Sequence, residues 1–254
     1  MANTAATEPP AVPLAPHGPL DEFYAAPAKR PQFVNELFDQ AAPDYDWLSG
    51  LLSFGTDRRY RRLALSRAGL KPGMKLLDVA TGTGLVVKAA LELGLSPEDI
   101  CGVDPSQGML AQNRARNPVT LLQGRGERLP FPDASFDFVT MGYALRHVED
   151  LRVLFSELRR VLRPGGRVLV LEITRPKSRI GFRLMEWFMR GLLPRLVGWR
   201  KRSASSARLL EYYWVTIAEC VPPAVILDAL NAEGWRDVRR VTFGPLLSEY
   251  VARK

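Results

Sequence analysis

The sequence predicts an α/β protein with a Rossmann-like three-layer α/β/α architecture: a mostly parallel seven-stranded sheet, an antiparallel strand at its edge and a helical cap. Three observations carry this. The apolar run Leu76 to Ala80 breaks into the turn Thr81-Gly82-Thr83-Gly84. A second run, Ile100 to Val103, closes on Asp104, 20 residues after Gly84. From Lys75 onward, short apolar runs alternate with amphipathic stretches, the pattern of parallel strands joined by crossover helices. Strands are expected over 75–79, 100–104, 119–123, 136–140 and 167–173, and helices over 84–93, 107–116 and 151–162. Arg163-Pro164-Gly165-Gly166 stops the last of these helices sharply. Ahead of the sheet, 33–65 reads as cap helices, whose apolar set includes Phe33, Leu37, Phe38, Tyr45, Trp47 and Leu48, broken by Pro43 and by Gly50 to Gly55. Pro222 and Pro223 open a last helix that stops at Gly234. Strands near 238–243 and 246–252 follow, and their short link through Gly244 and Pro245 makes them an antiparallel pair at the sheet edge.

A chain of 254 residues with 46% hydrophobic content can bury one large core. Residues 32–254 therefore read as one domain, with 32–72 as its cap and 174–215 as a basic insertion forming a lid. Residues 1–31 hold seven prolines among small and polar residues and are expected to form a disordered tail, with His17 solvated. No stretch approaches the roughly 20 apolar residues that span a bilayer, and the first 30 residues lack the charged start and apolar centre of a signal peptide; both points favour a cytoplasmic protein. Cys101 and Cys220 have neither metal-ligand nor redox spacing and are expected to be small buried residues. The formal charge of +8 is concentrated: between Arg175 and Arg208 stand ten basic residues and one acid, interleaved with Ile180, Leu184, Trp187 and other large apolar side chains. Such a segment suits an anionic membrane surface, or is a lid helix whose cations are merely solvated. No nucleic-acid module accompanies it, so nucleic acid is not an expected partner.

The glycine turn carries the chemistry. A buried parallel strand running into a helix needs residues without a Cβ at the crossing, which Gly82 and Gly84 supply. Asp104, at the carboxyl end of the next strand, can accept hydrogen bonds from both ribose hydroxyls of an adenosine. The phosphate-cradling pattern is G-x-G-x-x-G, whereas Ala80, Gly82 and Gly84 put small residues at alternate positions and Val87 stands where the third glycine falls. A pyrophosphate has no cradle here, which argues against a nicotinamide dinucleotide. Asp78 would place a negative charge near the ligand's centre, which suits the cationic sulfonium and amino group of S-adenosylmethionine. The rival reading is a glycine turn linking two core elements of some other α/β protein. Ligands in open sheets bind beyond the carboxyl ends of the strands, where the strand order reverses. That rule gathers Asp78, Ala80, Gly82, Gly84, Asp104, Arg125, Gly126, Glu127, Met141 and Gly142 into one cofactor set, with Met109 on the helix after Asp104.

Several motifs resemble those of the ubiquinone/menaquinone biosynthesis C-methyltransferase family: Phe54-Gly55, Leu77-Asp78-Val79-Ala80, Leu129-Pro130-Phe131-Pro132-Asp133, Phe136-Asp137, Leu145-Arg146-His147-Val148 and Arg163-Pro164-Gly165-Gly166. The resemblance runs from about Phe33 to the C-terminus. It implies the class I methyltransferase fold and transfer of a methyl group from S-adenosylmethionine to a ring carbon of a polyprenylated quinol precursor. It also places Thr83 and Asp104 at cofactor-contacting positions, Tyr45 at a lid tyrosine and Arg146 near the acceptor ring. The chain departs from the family pattern in four places. Arg125-Gly126 stand where Asn or Asp holds the adenine, Gly142 replaces a serine near the methionine moiety, Leu-Arg-Asn-Val reads Leu-Arg-His-Val, and Tyr213-Trp214-Val215-Thr216-Ile217 replaces a Tyr-Leu-x-Glu-Ser segment.

Methyl transfer from a sulfonium requires alignment and exclusion of water, with no metal or covalent nucleophile. A ring carbon becomes nucleophilic as a neighbouring phenol, with a pKa near 10, loses its proton. Arg146 is expected to supply the charge that favours the phenolate, and His147 the base, directly or through water. The other reading of His147 is a residue hydrogen-bonded to backbone where the chain turns into the next helix. Tyr143, Tyr213, Trp187 and Met185 are candidate walls of an apolar acceptor pocket, or ordinary lid packing, with Arg146 a further substrate-binding candidate. O- or N-methylation of another lipid-like or polyketide-like acceptor, and a non-catalytic membrane-surface protein that binds the cofactor, stand as alternatives.

Overall fold

The computed structural model describes residues 13–200 and 204–254. Residues 1–12 of the expected tail, Lys201 and Arg202 of the basic segment, and the side chains of 198–205 lie outside that description. The chain opens with α1 (Arg30–Ala41), α2 (Tyr45–Leu52) and α3 (Asp57–Ala68), followed by β1 (Leu76–Val79), α4 (Leu85–Glu92), β2 (Ile100–Asp104), α5 (Gln107–Arg114), β3 (Thr120–Gln123), β4 (Phe136–Gly142), α6 (Leu151–Val161) and β5 (Leu162–Ile173). Next, α7 (Arg179–Glu186) continues through a π-wound stretch, Trp187–Leu192, into α8 (Leu193–Arg200). The chain then forms α9 (Ala204–Glu219), α10 (Pro223–Ala232), β6 (Arg236–Phe243) and β7 (Leu247–Arg253).

The strands form one sheet in the order β3-β2-β1-β4-β5-β7-β6. The first five run parallel, and β7 lies antiparallel to both β5 and β6. The terminal hairpin thus closes the sheet edge as expected, with the reversed strand set one place in from it. Successive side chains of a strand face opposite sides: Leu77 and Val139 join a core with Phe155, Leu158 and Ile226, while Leu76 and Phe138 join another with Leu65, Val86 and Leu169. Helix α6 buries Leu151, Leu154, Phe155, Leu158 and Val161 on one stripe, and the Asp150 side chain caps it by accepting from the Arg152 N–H. Arg163 to Gly166 do not form a loop ahead of the next strand. Strand β5 begins at Leu162 and absorbs them as an irregularity in its pairing with β4 between Phe136 and Phe138, because a bulge accommodates the Pro-Gly-Gly backbone without ending the ladder. Cys101 and Cys220 are free and only partly buried.

The expected disordered tail is corrected from residue 13 onward. Leu20, Phe23 and Tyr24 are buried in a third core with Leu37, Leu48, Met189, Leu209 and Tyr212. The Leu151 N–H donates to the Leu14 carbonyl at 3.0 Å and the Val221 N–H to the Pro16 carbonyl at 2.8 Å. His17, expected in solvent, is buried 2.8 Å from the Arg30 guanidinium, and burial together with the Arg30 charge pushes its pKa down to about 4. Composition misled here because three apolar side chains suffice to strap a proline-rich segment onto a surface that other elements have already built. Phe23 meets Tyr212 edge-on at 5.3 Å, so Phe23→Ala is expected to cost about 3 kcal/mol. A thermal unfolding midpoint lowered by roughly 10 °C checks this, and an unchanged midpoint would show the strap to be loose.

Candidate active site

The turn after β1 is built from left-handed residues: Ala80 (φ 53°), Gly82 (φ 54°) and Gly84 (φ 86°). Ala80 carries the strain a Cβ brings in this region, and such outliers persist where the surroundings over-determine them. A Cβ at Gly84 would run into the Asn113 and Asn117 side chains, and the Asn113 amide donates to Thr81 Oγ1 and the Gly82 carbonyl, both at 3.3 Å. Asp78 is fully buried beneath the turn. Its carboxylate accepts from the Thr81 and Thr140 hydroxyls, both at 2.7 Å, and burial raises its pKa to about 6. Asp78 is therefore spent on tying β1, the turn and β4 together and does not line the cavity, contrary to its expected place beside the ligand. Thr83 and Gly84 also stand behind the wall; the Thr83 hydroxyl donates to Asp46, which pairs with Arg116.

At the end of β2, Asp104 Oδ2 accepts from the Gly82 N–H at 2.8 Å and Oδ1 from the Ser106 N–H at 2.9 Å. Each oxygen retains acceptor capacity, and the carboxyl lines the cavity. Burial raises its pKa to about 6 despite those two hydrogen bonds. The cap docks next to it: Asp39 of α1 accepts from Ser106 Oγ at 2.6 Å and the Gly108 N–H at 2.8 Å.

The cavity encloses about 840 Å³ including its open mouth, within the size range of small-molecule sites. Of the expected residues it brings together Tyr45, Ala80, Gly82, Asp104, Met109, Arg125, Gly126, Glu127, Met141, Gly142, Tyr143 and His147. Gly126 presents bare backbone because a Cβ there would lie 2.7 Å from Leu154 Cδ1. Arg125 pairs with Glu149 at 3.2 Å, and Glu127 accepts from the Glu149 N–H at 2.8 Å. The roof comes from Pro31, Val34, Asn35 and Phe38 of α1 and its start. These were missed because the rotation of a cap helix over a sheet is a tertiary property without a local motif.

Three acceptor-side expectations need correction. Arg146 is buried, pairs with the Glu172 carboxylate, and donates from Nε to Thr216 Oγ1 at 3.2 Å; it is absent from the cavity wall, and Glu172 neutralises the charge it was expected to supply. Tyr213 lies behind the wall with the Arg146 guanidinium 5.1 Å from its ring centre. Trp187 stands on the surface, 59% exposed. His147 does face the cavity, stacked on Tyr212 at 5.4 Å and on Tyr213 at 6.1 Å, with Phe38 edge-on at 5.2 Å. Neither ring nitrogen has a hydrogen-bond partner, so the backbone-bonded reading of this side chain fails. Burial first, then the Arg146 and Arg30 charges, hold its pKa well below 6.5. The ring is neutral.

Arg61 of α3 was missed altogether. Its Nε donates to Asp57 at 2.7 Å, its guanidinium lies 4.6 Å from the Tyr143 ring centre, and its Nη1 would sit 2.7 Å from a Cβ at Gly142. The space a serine would use at 142 is thus filled from α3. Within Arg58-Arg59-Tyr60-Arg61-Arg62 nothing marks this arginine as the buried one. Glu172 did leave a signal, as a lone acid in the apolar run Val168 to Ile173.

The ubiE/COQ5 methyltransferase family matches residues 26–230. Over 218 residues the chain is 37% identical to a demethylmenaquinone methyltransferase of Corynebacterium efficiens, covering 85% of this chain and 92% of that one. Over 175 residues it is 41% identical to the ubiquinone/menaquinone biosynthesis C-methyltransferase UbiE of Geobacter sulfurreducens, covering 65% and 67% of the two chains. Among solved structures it is similar in fold to a SAM-dependent methyltransferase from Aquifex aeolicus, with a TM-score of 0.55 and 19% identity over 76% of this chain and 88% of that one. The family match spans the cap, the glycine turn, Asp104 and the walls of the cavity, and the chain belongs to the ubiE/COQ5 methyltransferase family.

Proposed function

We propose that this chain transfers the methyl group of S-adenosylmethionine to a ring carbon of a lipophilic quinol. The observation that carries this reading is one cavity whose wall brings together the Asp104 carboxyl, with acceptor capacity to spare, and the aromatic side chains Phe38, Tyr45 and Tyr143 along with the His147 ring. The names of the relatives agree with it. When bound, S-adenosylmethionine supplies an electrophilic methyl on a sulfonium. Asp104 takes the ribose hydroxyls, and the bare backbone at Gly82 and Gly126 lets the nucleoside approach closely. The aromatic side chains hold the acceptor ring flat and exclude water, which leaves alignment as the main catalytic contribution. Transfer to the ring carbon would leave S-adenosylhomocysteine, and the proton displaced from that carbon would pass to solvent as aromaticity returns. His147 accepts a hydrogen bond from the ring hydroxyl and so enriches the adjacent carbon. With its own pKa well below 6.5 it polarises a phenol of pKa near 10 and does not strip it. Arg146 acts through others: it holds the Tyr213 ring on which His147 stacks.

The exposed face of the lid supports peripheral contact with an anionic membrane from which such an acceptor would be drawn. Ile180, Leu184 and Trp187 recur at helical spacing on one side of the lid and are 75%, 61% and 59% exposed, and Phe54 beside Phe188 is 78% exposed. Arg179, Arg183 and Arg190 are exposed among them. No single helix among the described residues is long and apolar enough to cross a membrane.

Given S-adenosylmethionine and a prenylated naphthoquinol with an open ring position, the purified chain is expected to form S-adenosylhomocysteine and methylated ring in equal amounts; product without quinol, or none with it, overturns the reading. Ribose hydrogen bonds favour the ionised form of Asp104, whose pKa in the free protein is about 6. Affinity for S-adenosylhomocysteine should therefore be full at pH 7.5 and fall about tenfold by pH 5; calorimetry across that range checks it, and Asp104→Asn should remove the dependence. His147→Ala should lower kcat about tenfold by the same factor from pH 6 to 9, whereas a wild-type inflection near neutrality that vanishes in the variant would make His147 a base. Flotation with anionic vesicles should recover the protein and neutral vesicles should not, and Leu184→Gln with Trp187→Gln should abolish recovery; equal recovery on both lipids would remove the electrostatic part.

A further inference from the structure

A second concavity, of about 560 Å³ including its open mouth, lies at the start of the lid and shares no residue with the first. Arg175, Lys177, Arg179 and Arg183 line it, and no acid does. Arg175 is held in place: its Nη1 donates to the Ala218 carbonyl at 3.2 Å, and its guanidinium lies 4.3 Å from the centre of the Phe182 ring, which packs on Trp214 at 5.2 Å. Lys177, Arg179 and Arg183 are exposed and form no ion pair with any described residue. Glu186, the one acid of the basic segment, is paired with Arg190 at 3.7 Å and stands outside the hollow. Ser178 Oγ accepts from the Gly181 N–H at 3.0 Å, so the start of α7 is capped within the chain and the positive charge belongs to side chains. Four cations around one hollow repel one another, and an anion that enters relieves the repulsion. Guanidinium forks match the oxygens of a phosphate. The exposed apolar side chains interleave with these cations: Ile180 follows Arg179, Leu184 follows Arg183, and Trp187 continues the stripe. A phospholipid carries the same pairing, a phosphate anion joined to acyl chains, whereas a free phosphate would leave the stripe in water.

We infer that this hollow binds the phosphate of an anionic phospholipid headgroup, with Arg175, Lys177, Arg179 and Arg183 around the phosphate oxygens and Ile180, Leu184 and Trp187 against the acyl chains. This rests on the reading of the lid face as a membrane contact, and it replaces a diffuse attraction between charges with one lipid held at one place. Arg175 stands two residues after β5 ends at Ile173, and its bond to Ala218 fastens it to α9. The headgroup is therefore gripped at the root of the lid, where the basic segment leaves the sheet.

The test is calorimetry on the full chain with dihexanoyl phosphatidylglycerol below its micellar concentration, and with inorganic phosphate as the second probe. A lipid monomer offers no charged surface, so diffuse attraction to a membrane gives no binding to it. The wild type should bind the monomer saturably at one site, and inorganic phosphate roughly tenfold more weakly or worse. Lys177→Gln with Arg183→Gln should weaken monomer binding about tenfold. Arg190→Gln with Arg195→Gln removes the same number of exposed charges outside the hollow and should leave monomer binding within about twofold of wild type. Affinity for S-adenosylhomocysteine should be unchanged in both variants, which also shows them to be folded. The inference is overturned if the wild type shows no saturable binding, if the two double variants weaken it equally, or if inorganic phosphate binds as tightly as the lipid, which would make the hollow a site for a free phosphate. Anionic vesicles that fail to recover a wild type which binds the monomer would instead overturn the membrane reading beneath it.

Discussion

A carboxyl that does not line the cavity holds the site in shape. Asp78 is sealed under the glycine turn, and its two 2.7 Å hydrogen bonds from Thr81 and Thr140 join the end of β1 to the turn and to the neighbouring strand β4. This is the point where the sheet order reverses and a crevice opens. The left-handed backbone at Ala80, Gly82 and Gly84 follows from that anchor, and it aims the Gly82 N–H at Asp104. Asp78 and Asp104 both have pKa values raised by burial to about 6. For each, ionisation costs the ligand-free fold, so their contribution to stability is greatest at acid pH and declines as pH rises through 6. On the proposed function, ribose hydroxyls would repair the deficit at Asp104, while Asp78 relies on its two threonines.

The cap completes what the sheet begins. Asp39 and Asp46, on α1 and α2, reach down to Ser106, Gly108 and Thr83, so the elements that roof the cavity are fastened to the same loops that position Asp104. Leu20, Phe23 and Tyr24 of the strap pack with Leu37 of that roof in the third core. Arg30, at the start of α1, continues the link by donating to the Arg146 carbonyl at 2.9 Å. A cation buried so close to His147 helps keep the imidazole neutral. The same residue thereby ties the roof to the segment that carries His147.

The sheet and the nucleoside end were legible in the sequence because their signals are local. Period-two apolar runs, a turn that demands small residues, and an acid at the next strand end each occupy a few consecutive positions. The acceptor end was legible only in part, because its properties depend on partners far apart in the chain. Arg146 reads as a free charge until Glu172, 26 residues later, is seen against it. Gly142 reads as a loss until Arg61 is found filling the space. Asn35 carries no motif at all, and its place in the cavity wall follows from how α1 rolls onto the sheet. The tail was misread for the converse reason: a composition poor in apolar residues says nothing about three that find a prepared surface.

Under the proposed function a ring carbon, not an oxygen, receives the methyl group. The most direct measurement gives the enzyme S-adenosylmethionine with a deuterated methyl group and a prenylated naphthoquinol, then locates the label in the product by mass fragmentation and carbon NMR. The label is predicted on a ring carbon, stable to acid and retained when the product is oxidised to the quinone. A label found on oxygen, lost when the quinone forms, would contradict the account.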